Sequence, residues 1–403
     1  MLSASSAQKV QETIERFVGW LDQYGETSYD CQTFYASPIG QKAKALYYKQ
    51  PGLGTIAVAP IILCEAFIPS ARRWFWKRQR FPIADAHYAM GFAALSQALG
   101  KTSYYERAVH FLNALEATRC PGQKHYAWGF PFDSMTLRCL LKEGTPLITT
   151  EAYVYEAFAQ VYEIDHDKKW RRIMQSLAQH VAEEYFDTET SPRASRTSYS
   201  SFPEPSYGVV DASAYRAFLL TKAARDFSNE TYSRVGERNL YFVLESQNAD
   251  GSWYYAMDGA RSFVDHFHTC FVIKALAKIE GLTGDGECTE AIERGVKYYV
   301  KHLFDEAGLP KPFSKAPRLT IYRRELYDYA ECINLAILLK GRFSELDRRL
   351  KTVLDDLLIR WQRPSGSFRS RHLLLGWDNM PMHRWAQAQL FRSLCLLLKE
   401  RDL

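Results

Sequence analysis

The amino-acid sequence predicts an all-α protein, an (α/α)6 toroid in which six helical hairpins close into two concentric rings. Two kinds of helical segment alternate along the chain. One kind is apolar on most of its faces, and the other is apolar on one side only. A helix that is apolar all round must be surrounded by protein, so the one-sided helices are expected to form an outer ring around it. A closed ring buries more surface than an open solenoid and needs no polar capping repeats.

The outer helices are the segments with one apolar side. The last of them shows the pattern most clearly, because Leu and Val residues from 346 to 358 share one face with Trp361 and charged residues lie opposite. The first is predicted at 6–23, where apolar residues recur at helical spacing. The six outer helices are predicted at 6–23, 103–118, 168–186, 230–247, 288–303 and 344–362.

The inner helices are the segments that are apolar on most faces. They are predicted to begin near Asp85, Glu151, Asp211, Asp265, Asp328 and His383. Long connections precede five of them, at 119–147, 187–210, 248–262, 304–325 and 363–381. All five lead from an outer helix into an inner one, so they gather at one end of the toroid. Long loops on a rigid scaffold commonly carry function, and the site is expected at this end.

The chain is predicted to be a single toroid domain spanning residues 1–403. Residues 25–82 are expected to form an irregular insertion between the first outer helix and the first inner helix. Within this insertion, 29–52 lacks periodicity and contains prolines and glycines, which favours a long loop. Residues 54–68 are apolar and predict a buried helix or helical turn.

The composition favours an anionic small molecule or glycan as partner. The net charge of +5 is mild, and it is too weak and too scattered to indicate nucleic-acid binding. No apolar run reaches about 18 residues, so no membrane span is expected. The N-terminal residues lack the apolar stretch of a signal peptide. The eight cysteines are dispersed without CxxC pairs, which is typical of free thiols in a reducing compartment and predicts a cytoplasmic location.

One short motif occurs twice at the end of an outer helix. A Gln-x3-Gly-x-Trp sequence at 247–253 recurs at 362–368 with Phe in place of Trp. It resembles the repeat of terpene cyclases, in which the motif is a structural staple. The resemblance therefore supports the helical architecture and assigns no chemistry, because the DxDD acid motif of the class II cyclases is absent.

A broader resemblance covers residues about 83–400. It is carried by the segments 128–133, 146–151, 210–215, 263–269 and 383–389. These segments resemble a group of bacterial proteins associated with capsule and exopolysaccharide gene clusters. That group belongs to the six-hairpin class that also holds glycoside hydrolases, uronate lyases and sugar 2-epimerases. The resemblance implies this fold and a role in surface-polysaccharide biosynthesis, and it transfers no catalytic residue.

Polar and aromatic residues at the inner-helix starts and in the preceding loops are the candidate site residues. The candidate catalytic residues are Asp133, Asp265, His268, Tyr207 and His383. The candidate substrate-binding residues are Trp128, Glu151, Tyr153, Asp211, Tyr215, Trp253, His266, Asp328, Arg371, Arg384 and Trp385. An acidic residue that opens a helix can instead serve as a cap, and Asp85, Asp211 and Asp328 fit that structural role.

Two carboxylates on either side of a sugar ring would allow acid/base hydrolysis. Asp133 lies in an aromatic loop away from an obvious helix start, which favours contact with a substrate over capping. The pair expected for this chemistry is Asp133 with Asp265 or Asp211. Trp128, Trp253 and other tryptophans could stack on sugar rings or pack in the core.

A uronate lyase or epimerase needs different groups. It requires a base for the proton next to the sugar carboxylate and a cation to neutralise that carboxylate. The candidate bases are Tyr207, His266, His268 and His383, and the candidate cations are Arg371 and Arg384.

A sugar 2-epimerase of this fold would use two histidines, for which His268 and His383 are the candidates. Histidines at positions 266 and 268 cannot share one helix face, so one of them is expected to be structural. His268 is favoured as the functional one, because Asp265 precedes it by three residues and could orient and charge it.

No metal or cofactor is predicted. Residues 264–271 resemble the zinc-binding helix of protein prenyltransferase β subunits, but the accompanying aspartate and D-x-C ligands are missing. A zinc site needs three protein ligands, and His268 alone does not supply them.

The leading hypothesis is a cytoplasmic carbohydrate-active enzyme that acts on an anionic sugar or glycan. The competing hypothesis is a toroid that binds a glycan or a protein partner without catalysis. The enzyme hypothesis requires Asp133, Asp265, Asp328 and Arg384 to lie around one cavity.

Overall fold

The computed structural model describes residues 4–137, 139–202, 207–317 and 319–400. In chain order the helices are α1 (Ala4–Tyr24), α2 (Thr33–Ala36), α3 (Pro38–Lys49), α4 (Pro51–Phe67), α5 (Arg72–Phe75), α6 (Pro82–Leu99), α7 (Thr102–Ala117), α8 (Ile148–Asp165), α9 (Lys168–Glu183), α10 (Val210–Phe227), α11 (Glu230–Glu245), α12 (His266–Thr283), α13 (Gly286–His302), α14 (Leu326–Leu338), α15 (Ser344–Arg360) and α16 (Ala388–Lys399).

Helices α6, α8, α10, α12, α14 and α16 form a closed inner ring. Each contacts the next, and α16 contacts α6. Helices α1, α7, α9, α11, α13 and α15 each pack against an inner helix from outside. The predicted all-α (α/α)6 toroid is thus confirmed. The last inner helix differs most from its prediction, because 383–387 form an irregular turn and α16 begins only at Ala388.

The connections from inner to outer helices are short because the chain reverses at a single left-handed residue. This residue is Gly100 (φ 65°), His166 (φ 54°), Ser228 (φ 52°) or Gly284 (φ 74°) in four of the hairpins. A residue in this conformation directly after the last helical turn is a common way to end an α-helix. The long connections therefore all lie at the opposite end of the toroid.

Short antiparallel strands stiffen the long connections. They are β1 (Ser134–Met135), β2 (Leu140–Leu141), β3 (Asp187–Glu189), β4 (Ser195–Thr197), β5 (Val264–Asp265), β6 (Phe313–Lys315), β7 (Tyr322–Glu325), β8 (Arg371–Leu373) and β9 (Trp377–Asp378). β1 pairs with β2, β3 with β4 and β5 with β6, while β7, β8 and β9 form a three-stranded sheet.

The repeated Gln-x3-Gly-x-Trp/Phe motif ties neighbouring outer helices together. The side-chain amide of Gln247, beyond the end of α11, donates to the carbonyl of Ala291 in α13 at 2.9 Å. Gln362, beyond the end of α15, donates in the same way to the carbonyl of Thr13 in α1 at 2.8 Å. The structural role implied by the resemblance is confirmed, and the second copy joins the last outer helix to the first.

The segment predicted as an irregular insertion is largely helical. It contains α2, α3, α4 and α5, with a 3-10 turn at Pro69–Ala71. Pro38 and Pro51 each occupy the first position of a helix, where the missing N–H costs nothing. These prolines favoured a loop in the sequence, yet they open helices. No single helix in the described ranges is long and apolar enough to cross a membrane.

Charged residues are buried inside the inner ring and bridge it. Lys278 of α12 pairs with Glu156 of α8 on a non-adjacent helix, and Lys274 of α12 pairs with Glu331 of α14. Buried ion pairs seldom add net stability, because desolvating both charges is costly. Breaking one is strongly destabilising, so these pairs constrain which inner helices can face one another.

Candidate active site

A cavity of about 600 Å³ opens at the end of the toroid that carries the long connections. Its walls come from the first turns of α8, α10, α12 and α14, from the loops before them, and from α3. Seven of the sequence-predicted site residues line it: Tyr153, Tyr207, Asp211, Tyr215, His268, Arg384 and Trp385.

The start of α12 places a histidine and a carboxylate in direct contact. Asp265 is the N-cap of α12, and its Oδ1 accepts the backbone N–H of His268 at 2.9 Å. Its Oδ2 lies 2.6 Å from Nδ1 of the His268 ring. Nε2 of that ring has no hydrogen-bond partner among the described residues. Asp265 therefore holds the ring by Nδ1 and leaves Nε2 available, as the sequence predicted from the spacing.

The surroundings raise the pKa values of both His268 and Asp211. Burial lowers the pKa of the His268 imidazole, but Asp265 and Asp211 raise it more, so the net pKa lies above its ordinary 6.5. Burial raises the pKa of Asp211, and His268 offsets this only in part. Oδ1 of Asp211 is buried without a hydrogen-bond partner. Neighbouring groups with perturbed pKa values in one cavity are a common mark of a functional site.

An aromatic wall faces this dyad. The rings of Tyr327 and Trp385 lie 4.6 Å apart, and Phe267 lies 5.2 Å from Tyr327. The indole N–H of Trp385 donates to Oε1 of Glu325 at 2.7 Å, which fixes the plane of the ring. Aromatic faces bring large apolar contact with a fixed orientation, as the C–H faces of a sugar ring require.

Arg261 is a cavity residue that the sequence analysis missed. Its guanidinium lies 4.6 Å from the ring centre of Tyr207 and 5.4 Å from that of Tyr255. Its Nε donates to Asp258 at 2.8 Å, and its Nη2 is buried without a hydrogen-bond partner. The available signal was an arginine in the connection 248–262, five residues before the start of an inner helix.

The two arginines predicted as carboxylate clamps are already paired. Arg384 lines the cavity, but its Nε donates to Asp30 at 2.9 Å and its Nη2 donates to the other oxygen of that carboxylate. Arg371 is bonded to Glu325 and does not line the cavity. Their charges are compensated within the protein. Arg261 is likewise paired, through its Nε, with Asp258.

Asp133 lies outside the cavity, and its pairing with Asp265 or Asp211 is corrected. Its carboxylate accepts from Lys142 Nζ at 2.9 Å and from the Glu143 backbone N–H at 2.8 Å. The physical reason is the direction of the loop, which sends Phe130 into the cavity and turns Asp133 toward a surface lysine.

His383 and His266 are structural, which corrects the two-histidine arrangement. In His383, Nδ1 contacts the Tyr88 hydroxyl at 2.6 Å and Nε2 contacts a backbone carbonyl at 2.9 Å. Burial lowers the pKa of His383 to about 4. In His266, Nε2 contacts the Tyr299 hydroxyl at 2.7 Å, and burial lowers the pKa of the ring to about 3. Both rings are neutral, fully engaged and outside the cavity lining.

Four further candidates are buried behind the cavity wall. Trp128 and Trp253 are 0 and 3% exposed, so neither ring has a face open to a sugar, and their indole N–H groups donate to helix-terminal carbonyls at 2.8 and 2.9 Å. Glu151 accepts from the Tyr185 hydroxyl at 2.8 Å, and burial raises the pKa of Glu151 to about 8. Asp328 is fully buried, and burial raises its pKa well above the usual range.

The expected convergence of four residues on one cavity is only partly met. Of Asp133, Asp265, Asp328 and Arg384, only Arg384 lines the cavity, and Asp265 reaches it through His268. Asp85, Asp211 and Asp328 lie in the first turns of α6, α10 and α14, two to four residues beyond the N-cap positions, where a negative charge offsets the helix dipole. The site therefore centres on His268 and its neighbours.

The lower wall is formed by tyrosines. The hydroxyls of Tyr153 and Tyr215 lie 2.8 Å apart, and His87 lies behind Tyr153 with a ring separation of 4.4 Å. Within the ranges that the structure describes, no group of three or more His, Cys, Asp or Glu side chains is arranged to hold a metal ion.

No family model matches the sequence, and no curated protein matches it. Solved structures with the same fold do match. A cellobiose 2-epimerase from Bacillus thermoamylovorans B4167 has a TM-score of 0.62 at 12% identity, with 80% of this chain and 88% of that chain covered. An unsaturated glucuronyl hydrolase specific for heparin has a TM-score of 0.64 at 9% identity, with 99% and 98% covered.

A family 76 glycoside hydrolase from a bovine Bacteroides thetaiotaomicron strain has a TM-score of 0.62 at 11% identity, with 82% of this chain and 71% of that chain covered. At such low identities the likeness shows the fold alone. The chain therefore shares the six-hairpin toroid with these enzymes.

Proposed function

We propose that this protein is a carbohydrate-active enzyme that transfers protons on an anionic sugar or glycan, as a uronate lyase or epimerase. The observation that carries the proposal is the His268–Asp265 dyad in the cavity wall, with Asp211 and the partly unpaired Arg261 beside it. The names of the structural neighbours, which act on sugars, agree with this substrate class.

The first step is removal of the proton on the carbon next to the sugar carboxylate. Neutral His268 donates its Nδ1–H to Asp265 and takes that proton on Nε2. Negative charge then develops on the sugar carboxylate. Arg261, which lines the cavity, stabilises it, because a preorganised cation acts where charge appears in the transition state.

The second step decides between the two reactions. In elimination, the C–O bond at the next carbon breaks and the leaving oxygen takes a proton from the Tyr207 hydroxyl, so a double bond forms. In epimerisation, a proton returns to the same carbon from the opposite face and no bond to oxygen breaks. Tyr327 and Trp385 supply the platform on which the sugar ring rests in either case.

Hydrolysis is the second candidate function. It is favoured by the raised pKa of Asp211, which keeps a carboxylic acid available to protonate a leaving group. The pairing with Asp133 that this chemistry was expected to use is not available, because Asp133 faces the surface. Hydrolysis therefore rests on Asp211 and a water activated by His268.

The biological setting stays a prediction. A role in surface-polysaccharide production is implied by the sequence resemblance. A cytoplasmic location is suggested by the cysteines, all eight of which are free thiols in the structure.

The test is turnover of a panel of uronate-containing oligosaccharides by wild type, His268→Ala and Tyr207→Phe. Ultraviolet absorbance of an unsaturated uronate reports elimination, a new diastereomer in the NMR spectrum reports epimerisation, and new reducing ends alone report hydrolysis. We expect His268→Ala to lower kcat by about 10²- to 10⁴-fold, the usual range for a lost acid/base group. The matched control is His110→Ala, because His110 is exposed on α7.

Two results would count against the proposal. Equal turnover by wild type and His268→Ala would remove the dyad from the mechanism. Saturable binding of a glycan without turnover of any would instead support a non-catalytic glycan-binding toroid.

A further inference from the structure

Helix α4 exposes an unbroken apolar stripe. The exposed fractions of Leu53, Ile56, Leu63 and Phe67 are 60, 71, 57 and 57%, and Pro60 between them is also exposed. These positions recur every three or four residues, so they lie on one side of the helix. Apolar groups of this size do not remain in water as a contiguous stripe without a partner.

The opposite side of α4 is satisfied within the protein. Val58 and Ile61 are buried in a small hydrophobic cluster with Phe34 and Ala43. The only ionisable side chains of α4 are Cys64 and Glu65, and the carboxylate of Glu65 lies 3.8 Å from Arg72. The exposed stripe therefore carries no charge and does not pack into the hydrophobic core of the protein.

Other apolar residues of the same segment are also exposed. Ile39 at the start of α3 is 74% exposed, and Ile68 and Trp74 beyond α4 are 52% and 76% exposed. The chain bends by 115° between Pro51–Phe67 and Pro69–Phe75, and together these pieces have the length and composition of a broken membrane segment. The bend makes the pair suited to lying on a bilayer.

The charges around this surface have one sign. The three acidic residues between 25 and 81 are Glu26, Asp30 and Glu65, and each forms an ion pair with an arginine. The exposed charged residues of the same segment are all basic: Lys42, Lys49, Arg73 and Lys77. An apolar stripe with basic flanks matches the boundary of a bilayer that contains anionic lipids.

We propose that α4 and its flanks form a docking surface for an anionic lipid bilayer. The apolar stripe enters the acyl boundary, Trp74 lies at the headgroup level, and the basic residues contact lipid phosphates. A second copy of the chain fits less well. In a twofold dimer the same patch faces itself, so the basic flanks of both copies would repel.

Docking would place the cavity beside the lipid surface. Lys44, Tyr47 and Tyr48 of α3 line the cavity, and α3 packs directly against α4. A glycan carried at the membrane surface could then reach the site. The docking surface does not depend on the chemistry proposed for the cavity.

The test is co-sedimentation of the full chain with two kinds of vesicle, phosphatidylcholine alone and phosphatidylcholine with about one third phosphatidylglycerol. We expect the wild type to bind the anionic vesicles and to lose binding as salt is raised. Ile56→Asp/Leu63→Asp should lower the bound fraction roughly tenfold, because buried apolar area is lost. Arg73→Glu/Lys77→Glu should lower the bound fraction to a similar extent, because it replaces two basic residues by acidic ones next to an anionic surface.

The matched control is Ile359→Asp, since Ile359 on α15 is 79% exposed and far along the chain from α4. It should bind vesicles like the wild type, and circular dichroism should show that all variants are folded. Three results would overturn the proposal: no binding of the wild type to either vesicle, equal loss in Ile359→Asp, or a wild-type dimer that Ile56→Asp/Leu63→Asp dissociates without any vesicle binding.

Discussion

Nδ1 of His268 and Oδ2 of Asp265 lie 2.6 Å apart at the first turn of α12. The same carboxylate caps the helix through the backbone N–H of His268. One side chain therefore begins the helix and orients the ring, so the geometry of the dyad is coupled to the fold. Each consequence below can be measured.

The first prediction concerns the titration of His268. In the wild type its NMR signal should titrate above 6.5, and Asp265→Asn should lower this pKa because the largest favourable charge is removed. Asp133→Asn is the control, since Asp133 is paired with Lys142 at the surface and should leave the titration unchanged. Identical titration in wild type and Asp265→Asn would show that the pair does not charge the ring.

The sign of the stability effect follows from the same shift. The folded-state pKa of His268 is raised, so the charged ring stabilises the fold. This stabilisation is complete below the pKa of the unfolded state and is lost as the pH rises through the pKa of the folded state.

As a base, His268 must be neutral, so turnover should rise with pH across the same interval. Asp265→Asn should move that rise to lower pH, in a plot of log kcat/KM.

A second prediction concerns Arg261 as the clamp for a sugar carboxylate. Arg261→Ala should weaken binding of glucuronate by about 10- to 100-fold, the value of a lost charge-assisted hydrogen bond, and should leave binding of the neutral sugar glucose unchanged. Isothermal titration calorimetry measures both affinities. Arg238→Ala is the control, because Arg238 is a surface arginine near Glu189. An equal loss for both sugars would indicate that Arg261 only supports the cavity wall.

A third prediction concerns the staples between outer helices. Gln247→Ala and Gln362→Ala should each lower the free energy of unfolding by about 1–3 kcal/mol, because each removes two hydrogen bonds, one to a turn carbonyl and one to the neighbouring outer helix. Urea denaturation measures the change. Gln8→Ala removes an exposed bond to Glu12 within one helix and should cost much less. An equal loss of unfolding free energy in all three variants would contradict a structural role for the bonds that Gln247 and Gln362 make between outer helices.

A fourth prediction concerns the attachment of the helices between 25 and 81. Arg72 and Asp378 form a fully buried ion pair at 2.7 Å that joins this segment to β9. Asp378→Ala should cost about 3–5 kcal/mol, because it removes the nearer carboxylate of a buried guanidinium and leaves it with Glu65 at 3.8 Å. Limited proteolysis should then cut between 25 and 81 before the toroid unfolds. Asp355→Ala removes an exposed pair with Lys351 and serves as control.

The fold was predictable because the periodicity of each helix is local. One-sided and all-round apolar segments alternate, and their order is enough to place them in outer and inner rings. Of the helices between 25 and 81, α4 was predicted at 54–68, whereas α3 was missed for a local reason as well. Prolines at the first helical position look like loop signals, although a helix tolerates them there. The extent of the chain as one domain stays a prediction.

The site was less predictable, because long-range contacts decide which side chains face the cavity. His268 was identified from its spacing to Asp265, which is a local relation. His383 has an equally suitable position at an inner-helix start, yet Tyr88 and a backbone carbonyl from distant segments hold its ring. Asp133 is drawn outward by Lys142. Arg261 carries no pattern that distinguishes it from other loop arginines.

The most direct test of the central claim is exchange of the proton next to the carboxylate of a bound uronate, followed by NMR in deuterated water. We expect the wild type to exchange that proton for deuterium in epimerisation or to lose it in elimination, and His268→Ala to do neither within the same time, while His110→Ala behaves like the wild type. Exchange or loss of the proton at the same rate in His268→Ala, or turnover of a uronate by the wild type that leaves this C–H bond intact, would contradict proton transfer by the His268–Asp265 dyad.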